Sequence, residues 1–201
     1  MTLGDNSVPE EMSPVVSSKP GAPRKNIYID AMKADSANWP RVESGESVYM
    51  SSSPAKLLNE ANSEYEVTTV KHFFNDSIVV QYRINNTIED QQLSDLKIQV
   101  ISLDTKSEGL VVSGIVNLPE GQIIKHKSKA EEPSFVYVTV DKRNCADALP
   151  LFSISNNFTF TITEIDIDNE EEVGSYEDDY DIPDVSVTSA DYIRPHVTPN
   201  G

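Results

Sequence analysis

Apolar and polar side chains alternate along several short runs between residues 63 and 162. The apolar members of three such runs share one face each: Ile78, Val80, Tyr82 and Ile84; Leu96, Ile98 and Val100; and Phe158, Phe160 and Ile162. Polar side chains stand between them: Gln81 and Arg83; Lys97 and Gln99; and Thr159 and Thr161. A period of two with one wet face is typical of antiparallel strands. We therefore predict three strands that each bury one face.

Three further runs predict strands with special features. Residues 134–141 are apolar on both faces, which indicates a central strand. Residues 110–116 contain Gly114, which predicts a bulge or a close backbone approach. The alternation in residues 64–74 is lost around positions 68–69, which predicts a second bulge.

Together these runs give about six to eight strands in roughly 100 residues, with no convincing helix between them. Two packed antiparallel sheets are the natural way to bury their apolar faces. The predicted fold class is therefore all-β, an immunoglobulin-like antiparallel β-sandwich over residues 61–165. The large side chains expected in its core are Tyr82, Phe135, Phe158 and Phe160.

Residues 1–60 are rich in Pro, Ser and charge, and we predict a long disordered linker there. One exception is a short helix, because Ser53 and Pro54 offer an N-cap and a first helical residue before Leu57 and Leu58. Trp39 stands before a proline in this segment. It is either a linker aromatic or a motif that docks on a partner.

Acidic residues are concentrated near the end of the chain. Residues 164–184 hold 11 Asp and Glu and no Lys or Arg, within a net charge of −17. We interpret residues 166–201 as an acidic connector followed by the start of a further subdomain. So acidic a chain repels nucleic acid and anionic lipid, which excludes nucleic-acid binding as a function.

The cysteine count and the first residues bear on the compartment. Cys145 is the only cysteine, so an internal disulfide is excluded, which fits a reducing compartment. The first residues lack a signal-peptide pattern. We interpret the glycosylation sequons at Asn75, Asn85 and Asn157 as chance matches. An extracellular immunoglobulin-like or cadherin-like adhesion or receptor module, which would use these sequons, remains the alternative.

The candidate catalytic residues are three histidines, His72, His126 and His196. Nucleophilic catalysis needs a nucleophile, a base and an orienting group, and none of the histidines stands in such a motif. His72 lies in a predicted strand, where a structural role is favoured. We therefore predict no enzyme activity, no catalytic residue, no cofactor and no small-molecule substrate.

Two charged patterns could serve binding. Asp166, Asp168, Glu170 and Glu177 match acidic positions of an EF-hand loop, but Glu171 replaces the glycine that such a loop requires. We therefore favour a solvated segment and assign no metal site. Lys125, Lys127 and Lys129 alternate in a predicted loop and suit either solvent, an acidic partner or a lipid head group.

Residues 63–100 contain three further motifs: Glu64-Tyr65, Lys71-His72 with Phe74, and residues 86–91. With these motifs the segment resembles the start of the appendage, or ear, domain of the gamma subunit of coatomer, the COPI coat of Golgi vesicles. The end of the chain resembles the family's acidic link between two appendage subdomains. Its motifs are residues 177–180, 182–188 and 190–193.

This resemblance implies an immunoglobulin-like sandwich preceded by a hinge, residues 1–60, with the platform subdomain expected beyond the chain. It implies a non-enzymatic role in vesicle-mediated ER–Golgi protein transport, in the cytoplasm and peripherally on Golgi membranes and COPI-coated vesicles. The implied partners of the full-length subunit are the other coatomer subunits, an Arf-type GTPase and an Arf GTPase-activating protein. No partner-binding residue is assigned, because the family's known platform groove has no counterpart here.

Overall fold

The computed structural model describes residues 26–34 and 47–193, and it confirms the predicted all-β class. The elements in these residues are α1 (Ile27–Ala34), β1 (Tyr49–Ser52), β2 (Lys56–Leu57), β3 (Tyr65–Phe74), β4 (Ser77–Asn86), β5 (Gln91–Thr105), β6 (Val111–Val116), β7 (Ser134–Asp141), β8 (Phe152–Ile165), β9 (Glu172–Val187) and α2 (Ser189–Tyr192). Neither of these two helices has the length and apolar composition that a membrane-crossing helix requires.

The strands form two antiparallel sheets. The larger sheet has six strands in the order β1-β3-β4-β7-β6, and β2 also pairs with β3. The smaller sheet has three strands in the order β5-β8-β9. The predicted packing of two antiparallel sheets is therefore confirmed.

The core lies between the two sheets and contains most of the residues that the alternation assigned to it, with Val100 only half-buried at its edge. The prediction that Phe135 belongs to this core is wrong, because its side chain lies in a second cluster on the outer face of the larger sheet, under α1. Buried side chains from β4, β5 and β8 join in a single cluster: Ile78, Val80, Tyr82, Ile84, Leu96, Ile98, Phe158, Phe160 and Ile162. Each fully buried side chain of this size contributes about 1.5–3 kcal/mol of hydrophobic free energy. The rings of Tyr82 and Phe158 meet edge to face across the sheets at 6.0 Å.

Strand β7 is buried along its whole length and lies between β4 and β6, which confirms that it is central. Its second face is covered by α1. The side chains of Tyr28 and Ala31 on this helix pack on Phe135 and Tyr137, and the rings of Tyr28 and Phe135 are 5.7 Å apart. Asn26 caps the helix by accepting a hydrogen bond from the Tyr28 backbone N–H at 3.1 Å.

The two predicted bulges have different outcomes. The pairing of β6 with β7 shifts register between Val112 and Gly114, which confirms the first. The bulge at positions 68–69 is wrong, because β3 and β4 pair without a shift. The alternation of β3 is obscured because both of its faces are buried. Thr69 uses its hydroxyl to bind the Gln81 carbonyl, and His72 lies buried on the outer face.

The predicted helix after Ser53 is wrong. Lys56 and Leu57 form strand β2, which pairs with Thr69 and Thr68 of β3. Together with β1, this strand places residues before position 60 in the larger sheet, so the sandwich begins earlier than predicted. Trp39 lies outside the described residues.

The acidic segment is not a connector within the described residues. It forms β9, which pairs with β8 from Val187 opposite Phe152 to Glu172 opposite Ile165. Ile182, Val185 and Val187 of this strand are buried in the core, while the acidic side chains of the strand stay exposed. The sandwich therefore extends beyond the predicted boundary at residue 165, as far as Val187.

Candidate functional site

His72 is fully buried on the outer face of β3 and makes two short hydrogen bonds. Its Nε2 atom lies 2.6 Å from the Gln81 side-chain oxygen, and its Nδ1 atom lies 2.6 Å from the Ser52 hydroxyl. Because an amide oxygen only accepts, Nε2 carries the hydrogen and Nδ1 accepts from Ser52. Burial lowers the pKa of His72 below its ordinary value, so the ring stays neutral at neutral pH.

A serine beside a histidine is the arrangement of a nucleophile and its base, but the third group here is a neutral amide. Gln81 cannot stabilise a protonated ring as a carboxylate would. Its side-chain nitrogen instead donates to the Tyr137 hydroxyl at 3.2 Å and to the Tyr28 backbone carbonyl at 3.3 Å. The network therefore ties α1 to the larger sheet, and His72 is a buried, hydrogen-bonded histidine of the kind that the sequence favoured.

The other two histidines considered as catalytic candidates are not described as part of this network. His126 lies in the segment between β6 and β7, where its Nδ1 atom is 2.7 Å from the Ser128 hydroxyl. His196 lies outside the described residues.

The predicted EF-hand positions do not converge. Asp166 accepts the backbone N–H of Asp168 at 2.9 Å, and both lie with Glu170 in the turn between β8 and β9. Glu177 is in strand β9, opposite Thr161. Across residues 26–34 and 47–193, no group of three or more His, Cys, Asp and Glu side chains is placed to hold a metal ion.

The three sequons lie in different surroundings. Asn75 follows β3 and accepts the Val48 backbone N–H at 2.7 Å, so its side chain is already used. Asn157 is part of β8, opposite Gln99 and Asp181. Asn85 is half-buried near the end of β4 and lines a cavity.

This cavity is the feature that brings the predicted lysines together. It has a volume of about 400 Å³ and lies between the end of β4 and the segment 122–134. Lys125, Lys127 and Lys129 line it together with Arg83. The Lys127 ammonium pairs with Glu66 at 3.2 Å, and that of Lys129 with Glu170 at 3.8 Å.

Arg83 is the one cationic residue lining this cavity that the sequence did not mark as a candidate for binding. The alternation of β4 correctly placed it opposite the core face, where a polar side chain needs no special explanation. Its proximity to the lysines depends on the path of the segment 122–134 over the sheet. No short motif encodes that path, so the sequence carried no signal for it.

A second cluster fixes the last described turn to the sandwich. The Lys71 ammonium, on β3, binds the Asp191 carboxylate at 2.5 Å and donates to the Ser186 carbonyl at 2.9 Å. The Tyr192 hydroxyl donates to the Pro150 carbonyl at 2.7 Å. Asp191 also accepts the Thr188 backbone N–H at 2.8 Å, as in a capping box. Helix α2 is therefore held firmly although it has a single turn.

Comparison with known proteins identifies related sequences. The family model described as the coatomer gamma subunit appendage platform subdomain matches residues 31–188. The probable coatomer subunit gamma of Schizosaccharomyces pombe is 33% identical over 149 residues, which is 73% of this chain and 15% of that protein. Coatomer subunit gamma-2 of Bos taurus is 31% identical over 191 residues, 92% of this chain and 20% of that protein. Human coatomer subunit gamma-2 is 29% identical over 208 residues, 96% of this chain and 22% of that protein.

The chain thus spans only 15–22% of the length of these relatives. The matched residues coincide with nearly the whole described sandwich. The part of this chain that the family model describes as the platform subdomain is therefore the sandwich itself. The idea of a separate platform after the sandwich stays a prediction. Because the family model covers well over half of the chain and includes the resembling residues 63–100 and 177–188, the chain belongs to the coatomer gamma subunit family.

Proposed function

We propose that this chain is a non-enzymatic, structural part of the appendage of a coatomer gamma subunit. It would act in COPI vesicle formation and in Golgi-to-ER and intra-Golgi protein transport. The observation that carries this proposal is the match of the appendage family model to residues 31–188, which include both sheets. The match gives no support to the alternative of an extracellular adhesion module.

The architecture of the sandwich suits a rigid domain that holds and orients neighbouring segments of the subunit. A sandwich with a buried apolar core is stiff, because interiors are packed as densely as organic crystals. The Lys71–Asp191 pair and the Tyr192–Pro150 hydrogen bond fix the direction of the chain at α2. We therefore propose that the sandwich sets the orientation of the segments that follow in the longer subunit.

The proposed partners follow from the same assignment. They are the other coatomer subunits, an Arf-type GTPase and an Arf GTPase-activating protein, reached through the full-length subunit. The proposed location is the cytoplasm, peripherally on Golgi membranes and COPI-coated vesicles. Of the predicted hinge, residues 1–60, α1, β1 and β2 are packed on or paired with the larger sheet. The part before α1 would extend the reach of the sandwich, as a polar linker does.

A segment exchange tests the proposal. The matching segment of the Schizosaccharomyces pombe gamma subunit is replaced by this chain, and the chimera is compared with the native subunit and with a subunit lacking the segment. We expect the chimera to restore the recruitment of vesicle-traffic factors to the coat, measured by quantitative mass spectrometry of purified coatomer. A chimera that behaves like the deletion would overturn the proposal. A chimera carrying an unrelated β-sandwich controls for simple spacing.

A further inference from the structure

The cavity beside the end of β4 combines cationic and apolar surface. Four of the 11 Lys and Arg residues in the described part of the chain line it: Arg83, Lys125, Lys127 and Lys129. Ile123 and Pro133 supply apolar surface in the same cavity, and Ile123 is 48% exposed. A concave site that offers both kinds of contact is suited to binding rather than to solvent exposure alone.

The guanidinium group of Arg83 has one nitrogen without a hydrogen-bond partner in the described residues. Its Nε atom is buried and has no hydrogen-bond partner among residues 26–34 and 47–193. The four ion pairs found in these residues do not include it. A buried donor left without an acceptor is destabilising, and a carboxylate oxygen of a ligand would supply the missing acceptor.

The lysines are available to a ligand as well. Lys127 and Lys129 are each 47% exposed in their pairs with Glu66 and Glu170. Ion pairs at such exposed positions contribute little net free energy. The ammonium groups can therefore exchange these partners for a ligand carboxylate at small cost.

The anionic residues of the cavity limit the charge of the ligand. Glu131 and Glu132 line it alongside the four cationic side chains. The local excess of positive charge is therefore modest, which suits one or two carboxylates better than a polyanion such as a nucleic acid or an anionic membrane surface. The formal charge of the chain, −17, repels acidic ligands elsewhere and so favours this site over the rest of the surface.

We propose that this cavity binds a short peptide segment of a partner protein in which one or two Asp or Glu residues stand next to an apolar side chain. A carboxylate of the peptide accepts hydrogen bonds from the Arg83 guanidinium, and Lys125 and Lys127 add charge attraction. The apolar side chain packs on Ile123 and Pro133. This binding site is additional to the proposed structural role and does not depend on it.

Peptide selection on the complete chain tests the proposal. Short random peptides displayed on phage are selected on the native protein, on Arg83→Gln and on Lys106→Gln. Lys106 is exposed and does not line the cavity, so its substitution removes the same charge elsewhere. We expect selection on the native protein and on Lys106→Gln to enrich peptides that combine acidic and apolar residues. Selection on Arg83→Gln should not enrich them.

The best enriched peptide then serves as the probe in fluorescence anisotropy. We expect Arg83→Gln to raise its Kd at least about tenfold, and Lys106→Gln to leave it within about twofold. Thermal unfolding of each variant verifies that the fold is retained. Should Arg83→Gln unfold, the double variant Lys125→Gln, Lys127→Gln replaces it, with the same tenfold expectation.

Three results would overturn the proposal: no acidic enrichment on the native protein, enrichment that Arg83→Gln leaves intact, or a glutamine-for-glutamate version of the probe that binds equally well. Binding of the protein to vesicles containing phosphatidylserine is measured as well. If they bind through Arg83 while no acidic peptide does, the cavity is a lipid site and the peptide proposal is wrong.

Discussion

The side-chain amide of Asn156, on the smaller sheet, donates a hydrogen bond of 2.7 Å to the hydroxyl of Tyr82, on the larger sheet. Both residues are almost completely buried, at 2% and 0% exposure. The bond joins the sheets inside an apolar core, where the low local dielectric strengthens it. It therefore helps to fix how the two sheets lie on each other.

Replacing Tyr82 with Phe should lower the free energy of unfolding by about 1–3 kcal/mol, because the Asn156 amide is left buried without its acceptor. Urea unfolding followed by circular dichroism measures the change. The double variant Tyr82→Phe, Asn156→Leu removes both polar groups and should recover part of the loss. If the double variant loses as much as the sum of both single variants, the hydrogen bond does not couple the sheets.

The stability of the protein should fall as the pH drops below about 6.5, the ordinary pKa of histidine. Burial lowers the pKa of folded His72, so the unfolded chain takes up its proton first. In the window between the two pKa values, stability changes by up to about 1.4 kcal/mol per pH unit.

Urea unfolding between pH 7 and pH 5 measures this slope. The variant His72→Gln should flatten it. The variant His126→Gln removes a half-exposed histidine outside this network and serves as the matched control. Equal slopes in the native protein and in His72→Gln would contradict the role of His72.

The variant Lys71→Met should destabilise the end of the sandwich by about 1–3 kcal/mol, because it leaves the carboxylate of Asp191 without its cation. Both side chains of the pair are mostly buried, at 15% and 11% exposure. Hydrogen exchange of the Ile193 amide, which donates to the Ala190 carbonyl, should become faster. Lys127→Met removes a more exposed pair and should cost under about 1 kcal/mol. Similar effects of both variants would contradict the importance of burial.

Neutralising the acidic edge strand should cause self-association. Strand β9 is the edge of the smaller sheet, and unpaired edges invite pairing unless charge prevents it. We expect the triple variant Glu177→Gln, Asp178→Asn, Asp179→Asn to form dimers or larger species in sedimentation velocity experiments. A loop variant with the same loss of charge (Glu108→Gln, Glu120→Gln, Glu131→Gln) should remain as monomeric as the native protein. Association of both variants would point to net charge rather than to the edge.

The sequence predicts β5 and β8 correctly because their polar positions mark an outer face that stays partly in solvent, so the period of two is visible. In β4 the same alternation gives the inward phase correctly, but the prediction of one buried face is wrong, because α1 covers the outer face and Val79 and Gln81 are buried there. Strand β9 was missed because its composition suggested a solvated segment, although Tyr180 and Ile182 keep the inward phase. Strand β2 was missed because its two residues become a strand only through pairing with Thr68 and Thr69. The cavity of Arg83 needs a tertiary contact that no local pattern reports.

Because α1 lies over the outer face of the larger sheet, the protein has three layers rather than two. A truncated protein starting at residue 60, where the strand pattern begins, would lose α1, β1 and β2 together. It would present Val79, Phe135 and Tyr137 as a bare apolar stripe. Used as bait, such a fragment would adhere to unrelated proteins, and its captured material would say little about its partners. A truncated form of this sandwich must therefore keep α1, which covers the apolar outer face of the larger sheet.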